Sequence, residues 1–385
     1  MISKKLVTTA ALVLGTAAFA SGHNNVELAT DGTGDFLIAP FYEAKNDVCS
    51  EVKVFNTNET NSILAKVSIR EQVSSQEVDL PIFLSPGDVW SGTICDRYGK
   101  VMLTSTDDSN HPAIKEVLAE GKDLEEQSRN AGHKDIDFTR GYIEIYPIAQ
   151  FNERSTAKVQ KDILVKRWDQ LAAGDMSNPK LVKKGVDDNS LSGVVSYQTN
   201  DRETASSAMV AFEGAHSKQR VGTSIMYAED TSPEVLLGQS EKVQILDLLQ
   251  NRMTSFTYDN YGREQSIYLT FPFGYTANQE RSFKVTVRDM MENKDVEKTV
   301  IFSPRAMKTK YSIKNELAVI PLTQLIGLTN NSSKYKKGMI QIKEIRNLSN
   351  HQLGAGKFAS FLPSLVSTME SREKFINTVV STPVK

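Results

Sequence analysis

Hydrophobic and polar residues alternate through much of the stretch from residue 35 to residue 104, and this alternation predicts β-strands. Over 63–70, Ile, Ala, Val and Ile face one way while Lys, Ser and Arg face the other, which is the period of a half-buried antiparallel strand. Comparable patterns at 51–54, 78–84 and 89–95 predict further strands, separated by turn-forming sequences. Strands of this length and spacing are typical of a small immunoglobulin-like β-sandwich.

The pattern changes after residue 108. Residues 112–130 are rich in Ala, Glu, Lys and Leu, which predicts helical structure. We also expect helices over 161–173 and from Ser232 onward, and a C-terminal helix over 363–380. Alternating segments beyond the first helical stretch predict strands at 141–146, 193–199, 208–212, 266–271, 282–288, 297–302 and 339–345.

These elements together predict a mainly β protein. We expect an immunoglobulin-like β-sandwich domain at 21–108, followed by a helical linker at 109–135. The remainder, 136–385, is expected to be a larger β-rich domain with helical insertions and a C-terminal helix.

The first 20 residues have the pattern of a secretory signal peptide. Lys4 and Lys5 precede a mostly apolar stretch over 6–15, and residues 18–20 are Ala-Phe-Ala, a pattern that signal peptidase accepts. The apolar stretch is shorter than the roughly 20 residues that a membrane-spanning helix needs. We therefore expect export with cleavage after Ala20, no transmembrane segment in the mature chain, and a destination in the periplasm, at the cell surface or outside the cell.

The chain contains two cysteines, Cys49 and Cys95. In an exported protein an even number of cysteines favours a disulfide, so we expect these two to be bonded. The alternative is a pair of buried reduced thiols. A zinc site is not favoured, because two cysteines without a nearby histidine pair cannot supply four ligands.

Charge and motifs narrow the possible functions. The 45 basic and 47 acidic residues give a formal net charge of -2, which does not indicate binding to nucleic acid. The five histidines form no pair with metal-ligand spacing, and the sequence lacks the G-x-S-x-G, P-loop and G-x-G-x-x-G motifs. We therefore predict no catalytic residues, no cofactor-binding residues and no enzymatic activity, while a triad assembled from distant residues stays possible in principle.

Two acidic turns are weak calcium candidates. One contains Asp31 and Asp35, and the other contains Asp107 and Asp108. Calcium takes six to eight oxygen ligands, and carboxylates on a turn supply such oxygens. Neither turn matches a defined calcium loop, so a solvated turn without a metal is the simpler interpretation.

Several segments occur in the same order as in a known group of proteins. They are 34–42, 54–57, 65–71, 84–92, 106–109, 141–144 and 271–272. In this ordered series the chain resembles uncharacterised β-rich exported proteins of Gram-negative bacteria, which carry signal peptides. The resemblance covers about half of the chain. It implies a periplasmic or cell-surface protein, and it supplies no activity or catalytic residues.

Two functions follow as hypotheses. The first is a non-enzymatic cell-envelope protein, structural or adhesive, that associates with itself or with envelope partners through strand edges. The second is a secreted protein that binds or hydrolyses carbohydrate, with Trp90, Tyr142 and Tyr146 as stacking platforms and Asp107 with Asp108 as the acids. A pilus-type chaperone shares the immunoglobulin-like start, but no residue pair in the sequence selects that function.

Overall fold

The structure is a computed structural model, and it describes most of the chain in separate stretches. These are residues 25–45, 47–151, 154–172, 189–199, 204–215, 237–250, 253–259, 264–272, 281–290, 296–303, 310–312, 317–321, 337–345, 365–372 and 375–380. The expected signal peptide and Ser232, the expected start of a helix, lie outside the described residues.

Within these stretches, strands between residues 27 and 213 form two six-stranded antiparallel sheets. In chain order they are β1 (Glu27–Leu28), β2 (Phe36–Glu43), β3 (Val48–Asn56), β4 (Ser62–Glu71), β5 (Glu77–Leu84), β6 (Val89–Arg97), β7 (Lys100–Thr104), β8 (Lys122–Asp123), β9 (Arg140–Phe151), β10 (Leu191–Thr199), β11 (Thr204–Ala208) and β12 (Val210–Glu213). Sheet A has the order β1-β12-β2-β9-β4-β5, and sheet B has the order β11-β10-β3-β6-β7-β8.

The two sheets share one hydrophobic core. Val67 and Ile143 of sheet A belong to the same buried cluster as Val54, Trp90 and Tyr197 of sheet B. The arrangement is a β-sandwich, and the predicted mainly β fold is confirmed. Its more specific assignment as immunoglobulin-like stays a prediction.

The sandwich takes strands from both sides of residue 108, where the sequence analysis ends its first domain. In sheet A, β9 pairs with both β2 and β4, and β12 pairs with β2. In sheet B, β10 pairs with β3 and β8 pairs with β7. Such pairings join segments far apart in sequence, and local alternation carries no information about which strands become neighbours.

Strands β3 and β4 both alternate apolar and polar residues, but they differ in whether the polar side chains are buried. In β3, Val52 and Val54 are buried while Glu51 and Lys53 are only partly covered, as the pattern predicts. In β4, however, every residue is buried, including the polar ones. The expectation that β4 is half-buried is therefore wrong, because other parts of the molecule cover the outer face of sheet A, the face turned away from sheet B.

Short helices follow β7 inside the expected linker. A 3₁₀ turn (Pro112–Ile114) leads into α1 (Lys115–Glu120), and α2 (Leu124–Asn130) follows β8. The side chain of Asp123 caps α2 by accepting a hydrogen bond from Glu126 N at 3.0 Å. Leu118 and Leu124 are buried in the core of the sandwich. These helices are therefore packed elements of the sandwich.

Two longer helices pack against the outer face of sheet A. They are α3 (Ala157–Ala172), which overlaps the helix expected over 161–173, and α4 (Gln239–Gln250). Leu164 of α3 and Ile245 of α4 share a buried cluster with Phe36 and Phe83 of sheet A. This second cluster explains why part of the outer face is apolar and dry.

The later strands form two smaller sheets. They are β13 (Met253–Asp259), β14 (Glu264–Thr270), β15 (Arg281–Asp289), β16 (Val296–Ser303), β17 (Lys310–Ser312), β18 (Leu317–Pro321), β19 (Lys337–Ile345), β20 (Leu365–Arg372) and β21 (Phe375–Val380). Sheet C has the order β13-β19-β15-β16-β17, and sheet D has the order β18-β14-β20-β21.

The expected C-terminal helix is wrong. Leu365–Arg372 and Phe375–Val380 form the paired strands β20 and β21, and β20 also pairs with β14. The segment contains many β-branched residues, Val, Thr and Ile, which favour extended structure. The spacing of Leu365, Met369 and Ile376 suggested a helical stripe, but pairing with β14 decides the outcome.

Sheet D contacts the sandwich through β14. Tyr268 stacks on Phe41 of β2 with ring centroids 4.4 Å apart, and its hydroxyl donates to Glu43 Oε2 at 2.8 Å. Arg140 of β9 holds the same carboxylate in a two-pronged contact at 2.8 and 3.0 Å. Thr270 of β14 also donates to the carbonyl of Pro40. This buried junction ties the later part of the chain to the centre of sheet A.

Candidate functional site

Five ionisable side chains lie together on the outer face of sheet A. They are Lys66 and Arg70 on β4, Glu77 and Asp79 on β5, and Glu144 on β9, and we call them the charge cluster. The pairing registers of β4 with β5 and with β9 bring them to one face of the sheet. Their side chains are at most 9% exposed, and that of Glu144 is fully buried.

Arg70 is the central cation of the charge cluster. Its Nη2 lies 2.5 Å from Glu77 Oε2, and its Nε donates to Glu144 Oε2. Its Nη1 donates to the carbonyl oxygen of Ser75 at 3.0 Å. Burial lowers the pKa of Arg70, but the charges of Glu144 and Glu77 outweigh burial and raise it well above its ordinary value. Arg70 therefore stays charged and serves two carboxyl groups at once.

Lys66 is the second cation. Its Nζ pairs with Asp79 and lies 3.9 Å from Glu77 Oε1. Tyr146 adds a neutral donor, since its hydroxyl donates to Glu144 Oε2 at 2.7 Å. Burial raises the pKa of Tyr146 well above 10, so this hydroxyl keeps its proton.

The charge cluster has one more acid than base. Burial raises the pKa of Glu77 to about 7, and the neighbouring charge of Asp79 adds to this while Arg70 opposes it. Burial also raises the pKa of Asp79. Within the described part of the chain, Glu144 Oε1 has no hydrogen-bond partner. The cluster is therefore arranged to hold a proton among carboxyl groups that cannot all be ionised cheaply in a buried place.

A second polar group surrounds Lys161 of α3. Its Nζ donates to Asp88 Oδ2 at 2.9 Å, Asp108 Oδ1 at 3.0 Å and Ser109 Oγ at 3.0 Å. Burial raises the pKa of Asp88, but hydrogen bonds from Lys161 and Ser85 outweigh it and lower the pKa below its ordinary value. Lys161 thus anchors α3 to the turn before β6 and to the segment after β7.

The calcium candidates Asp107 and Asp108 belong to this anchored segment. Asp107 Oδ2 accepts from Ser91 N at 3.0 Å, and its Oδ1 accepts from Ser109 N at 2.8 Å. Asp108 faces the ammonium group of Lys161. Both carboxylates therefore already have partners from the chain, and the cation beside Asp108 is a lysine.

The other calcium candidates, Asp31 and Asp35, are also bound within the chain. Asp31 Oδ1 accepts from Thr33 N at 2.9 Å in a local turn. Asp35 is fully buried and accepts from Asn189 N at 3.0 Å. Across all described residues, no group of three or more His, Cys, Asp or Glu side chains is arranged to hold a metal ion.

The suggested glycan platforms lie inside the protein. Trp90, Tyr142 and Tyr146 are fully buried. Trp90 Nε1 donates to Asn110 Oδ1 at 2.8 Å, and the Tyr142 hydroxyl lies 2.7 Å from Ser75 Oγ. The expectation that these rings stack on a sugar is therefore wrong. The aromatic residues in these strands suggested a ligand platform, but aromatic residues in strands more often belong to the hydrophobic core.

The predicted disulfide is present. Cys49 on β3 and Cys95 on β6 are bonded, with a Cα–Cα distance of 4.6 Å and a sequence separation of 46. The two strands are neighbours in sheet B, where Ser50 pairs with Ile94 at the next position. The bond therefore links adjacent strands of one sheet.

The charge cluster was not predicted from the sequence. The alternation along β4 predicts a solvent-facing side for Lys66, Ser68 and Arg70, because polar residues at every second position usually face water. The next strand carries an acidic pair at the same spacing, Glu77 and Asp79, which the hairpin register places opposite Arg70 and Ser68. This complementary pair is the sequence feature that could have indicated the charge cluster.

Comparison with known proteins returned no similarity: no family model, no curated protein and no solved structure matches this chain. The function therefore has to be argued from the chain's own geometry. None of the described helices is long and apolar enough to cross a membrane.

Proposed function

We propose that this chain is an exported, non-enzymatic component of the cell envelope with a structural or adhesive role. The observation that carries the proposal is the Cys49–Cys95 disulfide. Disulfides persist in oxidising compartments and are rare in a reducing cytosol. The signal-peptide pattern of the first 20 residues points in the same direction.

The internal pairing of the ionisable groups supports a non-enzymatic role. Side chains with raised pKa values, such as Arg70 and Glu77, face each other inside the protein. Lys161 is likewise engaged by three oxygen acceptors of its own chain. These groups act on one another, so we assign the function to the protein's exterior.

Strand edges offer one route to partners, and the edges of the sandwich differ in how well they are protected. The end strands β1 and β8 have two residues each. The end strand β5 contains Pro81, and its Phe83 N donates to Ser109 O at 2.9 Å. Short strands, proline and a covering segment are the means by which proteins block edge pairing.

The end strand β13 of sheet C is the edge we assign to assembly. It has seven residues and pairs with β19 along its whole length, and within the described part of the chain it pairs on that side alone. Its sequence, MTSFTYD, contains no proline and no lysine. A free edge of this kind offers backbone hydrogen bonds to a second copy or to a strand of another envelope protein.

Export is tested in the native host. Free thiols are blocked with a thiol reagent before lysis, the cells are fractionated, and the mass of the protein is measured. We expect a chain that begins at Ser21, lies outside the cytosol and carries no free thiol. A full-length chain in the cytosol with two free thiols would contradict the proposal.

Assembly is tested with Ser255→Lys, which adds a charge to the middle of β13, where Ser255 is partly exposed. The matched control is Ser192→Lys on β10, a partly exposed serine on an internal strand of sheet B. By light scattering across a concentration series, we expect the wild type and the control to self-associate and Ser255→Lys to stay monomeric. A wild type that is monomeric at every concentration would refute assembly through β13.

A further inference from the structure

We propose that the charge cluster is a proton-binding site that couples the attachment of strand β5 to pH. The inference is independent of export and of assembly through β13. In the charge cluster three carboxyl groups, those of Glu77, Asp79 and Glu144, face two cations, Lys66 and Arg70. These side chains are at most 9% exposed. One added proton makes this group electrically neutral.

The geometry indicates which carboxyl groups share the proton. Glu144 receives two donors on one oxygen, Arg70 Nε and the Tyr146 hydroxyl, while its other oxygen has no hydrogen-bond partner among the described residues. Glu77 shares Arg70 with Glu144, and among the described residues its second cation is Lys66, at 3.9 Å. Asp79 takes the close contact with Lys66. Burial raises the pKa of Glu77 and of Asp79, and both lie on β5, so we assign the proton to this pair.

All strands around Glu77 contribute charges to this balance. Lys66 and Arg70 face it from β4, Asp79 from its own strand, and Glu144 from β9. Helix α3 packs on the same face of the sheet but meets β5 at its other end, where Trp168 lies edge-on to Phe83. Helix α2 packs on the opposite face, through Leu124 in the core of the sandwich.

The direction of the pKa shift of Glu77 determines how the stability of the folded protein changes with pH. The pKa of Glu77 rises from an ordinary 4.5 to about 7 because of burial, so the folded protein binds the proton more tightly than the unfolded chain. The resulting stabilisation is fully present below pH 4.5 and is lost as the pH rises through about 7. Above that pH the five residues of the charge cluster carry one more carboxylate than cation, in a buried place on the end strand of the sheet.

Strand β5 is the element that responds. Glu77 and Asp79 are both on this strand, and β5 is the last strand of sheet A, held by β4 on one side. Near Phe83 it is also held by Ser109, whereas Glu77 and Asp79 lie toward its other end, next to the turn from β4. We therefore expect local opening at the Glu77 end on deprotonation, while the rest of the sandwich stays closed.

The test compares wild type with Glu77→Gln, which copies the neutral side chain at every pH. Amide hydrogen exchange of β5 is measured from pH 5 to pH 8 and expressed as protection factors. The folding constant changes with pH between the unfolded and folded pKa values, and because Glu77 is still half protonated at pH 7, we expect the wild type to lose about fortyfold of protection between pH 5 and pH 7 relative to the variant. The control is Glu51→Gln, a partly exposed glutamate paired with Lys53 on β3, which should follow the wild type.

Two outcomes would overturn the proposal. One is an identical pH dependence of β5 protection in wild type and Glu77→Gln. The other comes from carbon-13 NMR titration of the wild-type carboxyl groups, which needs no variant: if Glu77, Asp79 and Glu144 all titrate below pH 5, the cluster holds no extra proton near neutrality. A carboxyl signal of Glu77 that titrates near pH 7 is the result that supports it.

Discussion

Removing the disulfide is the change whose energetic effect is best defined by the structure. The variant replaces Cys49 and Cys95 with alanine. The bond closes a loop with a sequence separation of 46, and the chain-entropy relation for such a loop gives about 4 kcal/mol of stabilisation at room temperature. This is a large share of the 5–15 kcal/mol, roughly, by which a domain is usually stable.

The position of the bond indicates where this free energy comes from. Strands β3 and β6 are already hydrogen-bonded neighbours, so the native strands stay side by side without the bond. Cys95 is buried and Cys49 is partly exposed, so the alanine variant loses little apolar contact. The main effect is therefore on the unfolded chain, which gains freedom and exposes more surface.

Urea denaturation of the oxidised wild type, the reduced wild type and the double variant tests this account. We expect both disulfide-free forms to lose about 4 kcal/mol and to unfold with a steeper dependence on urea. Thr93→Ala with Thr104→Ala is the control, because it removes a cross-strand pair between β6 and β7 without touching a covalent link. A loss below about 1 kcal/mol with an unchanged urea dependence would refute the reasoning.

Three further changes give separate tests. Lys161→Met keeps the aliphatic stem but leaves Asp88 without the ammonium group of Lys161, so we expect the free energy of unfolding in urea to fall by about 1–3 kcal/mol. An unchanged free energy would show that this contact does not stabilise the fold. Gly141→Ala should prevent stable folding, seen as a lost thermal transition, because a Cβ there would lie 1.8 Å from the Arg70 carbonyl oxygen. Tyr98→Asn should raise stability by about 0.5–1 kcal/mol, because Tyr98 is fully exposed with φ 58°, a conformation that asparagine adopts more easily; an unchanged melting temperature would contradict this.

The strands were predictable where one face is buried and the other is not. Val52 and Val54 on β3 show this, because side-chain alternation and burial follow the same period. The paired cysteines were predictable from their number and the expected compartment. The charge cluster was not, because polar residues such as Lys66 and Arg70 face water in most strands, and their burial depends on segments distant in sequence. The C-terminal strands were missed for the same reason, since pairing with β14 overrides local spacing.

The order of strand pairing determines when the sandwich can close. Strand β2 lies between β9 and β12, and β3 lies between β6 and β10, so the first strands made find some of their neighbours only after residue 190. Contacts of such high sequence separation slow folding. The sandwich of such a chain cannot close until more than half of the chain has been synthesised. During that interval its early strands have unpaired edges, and such edges favour aggregation.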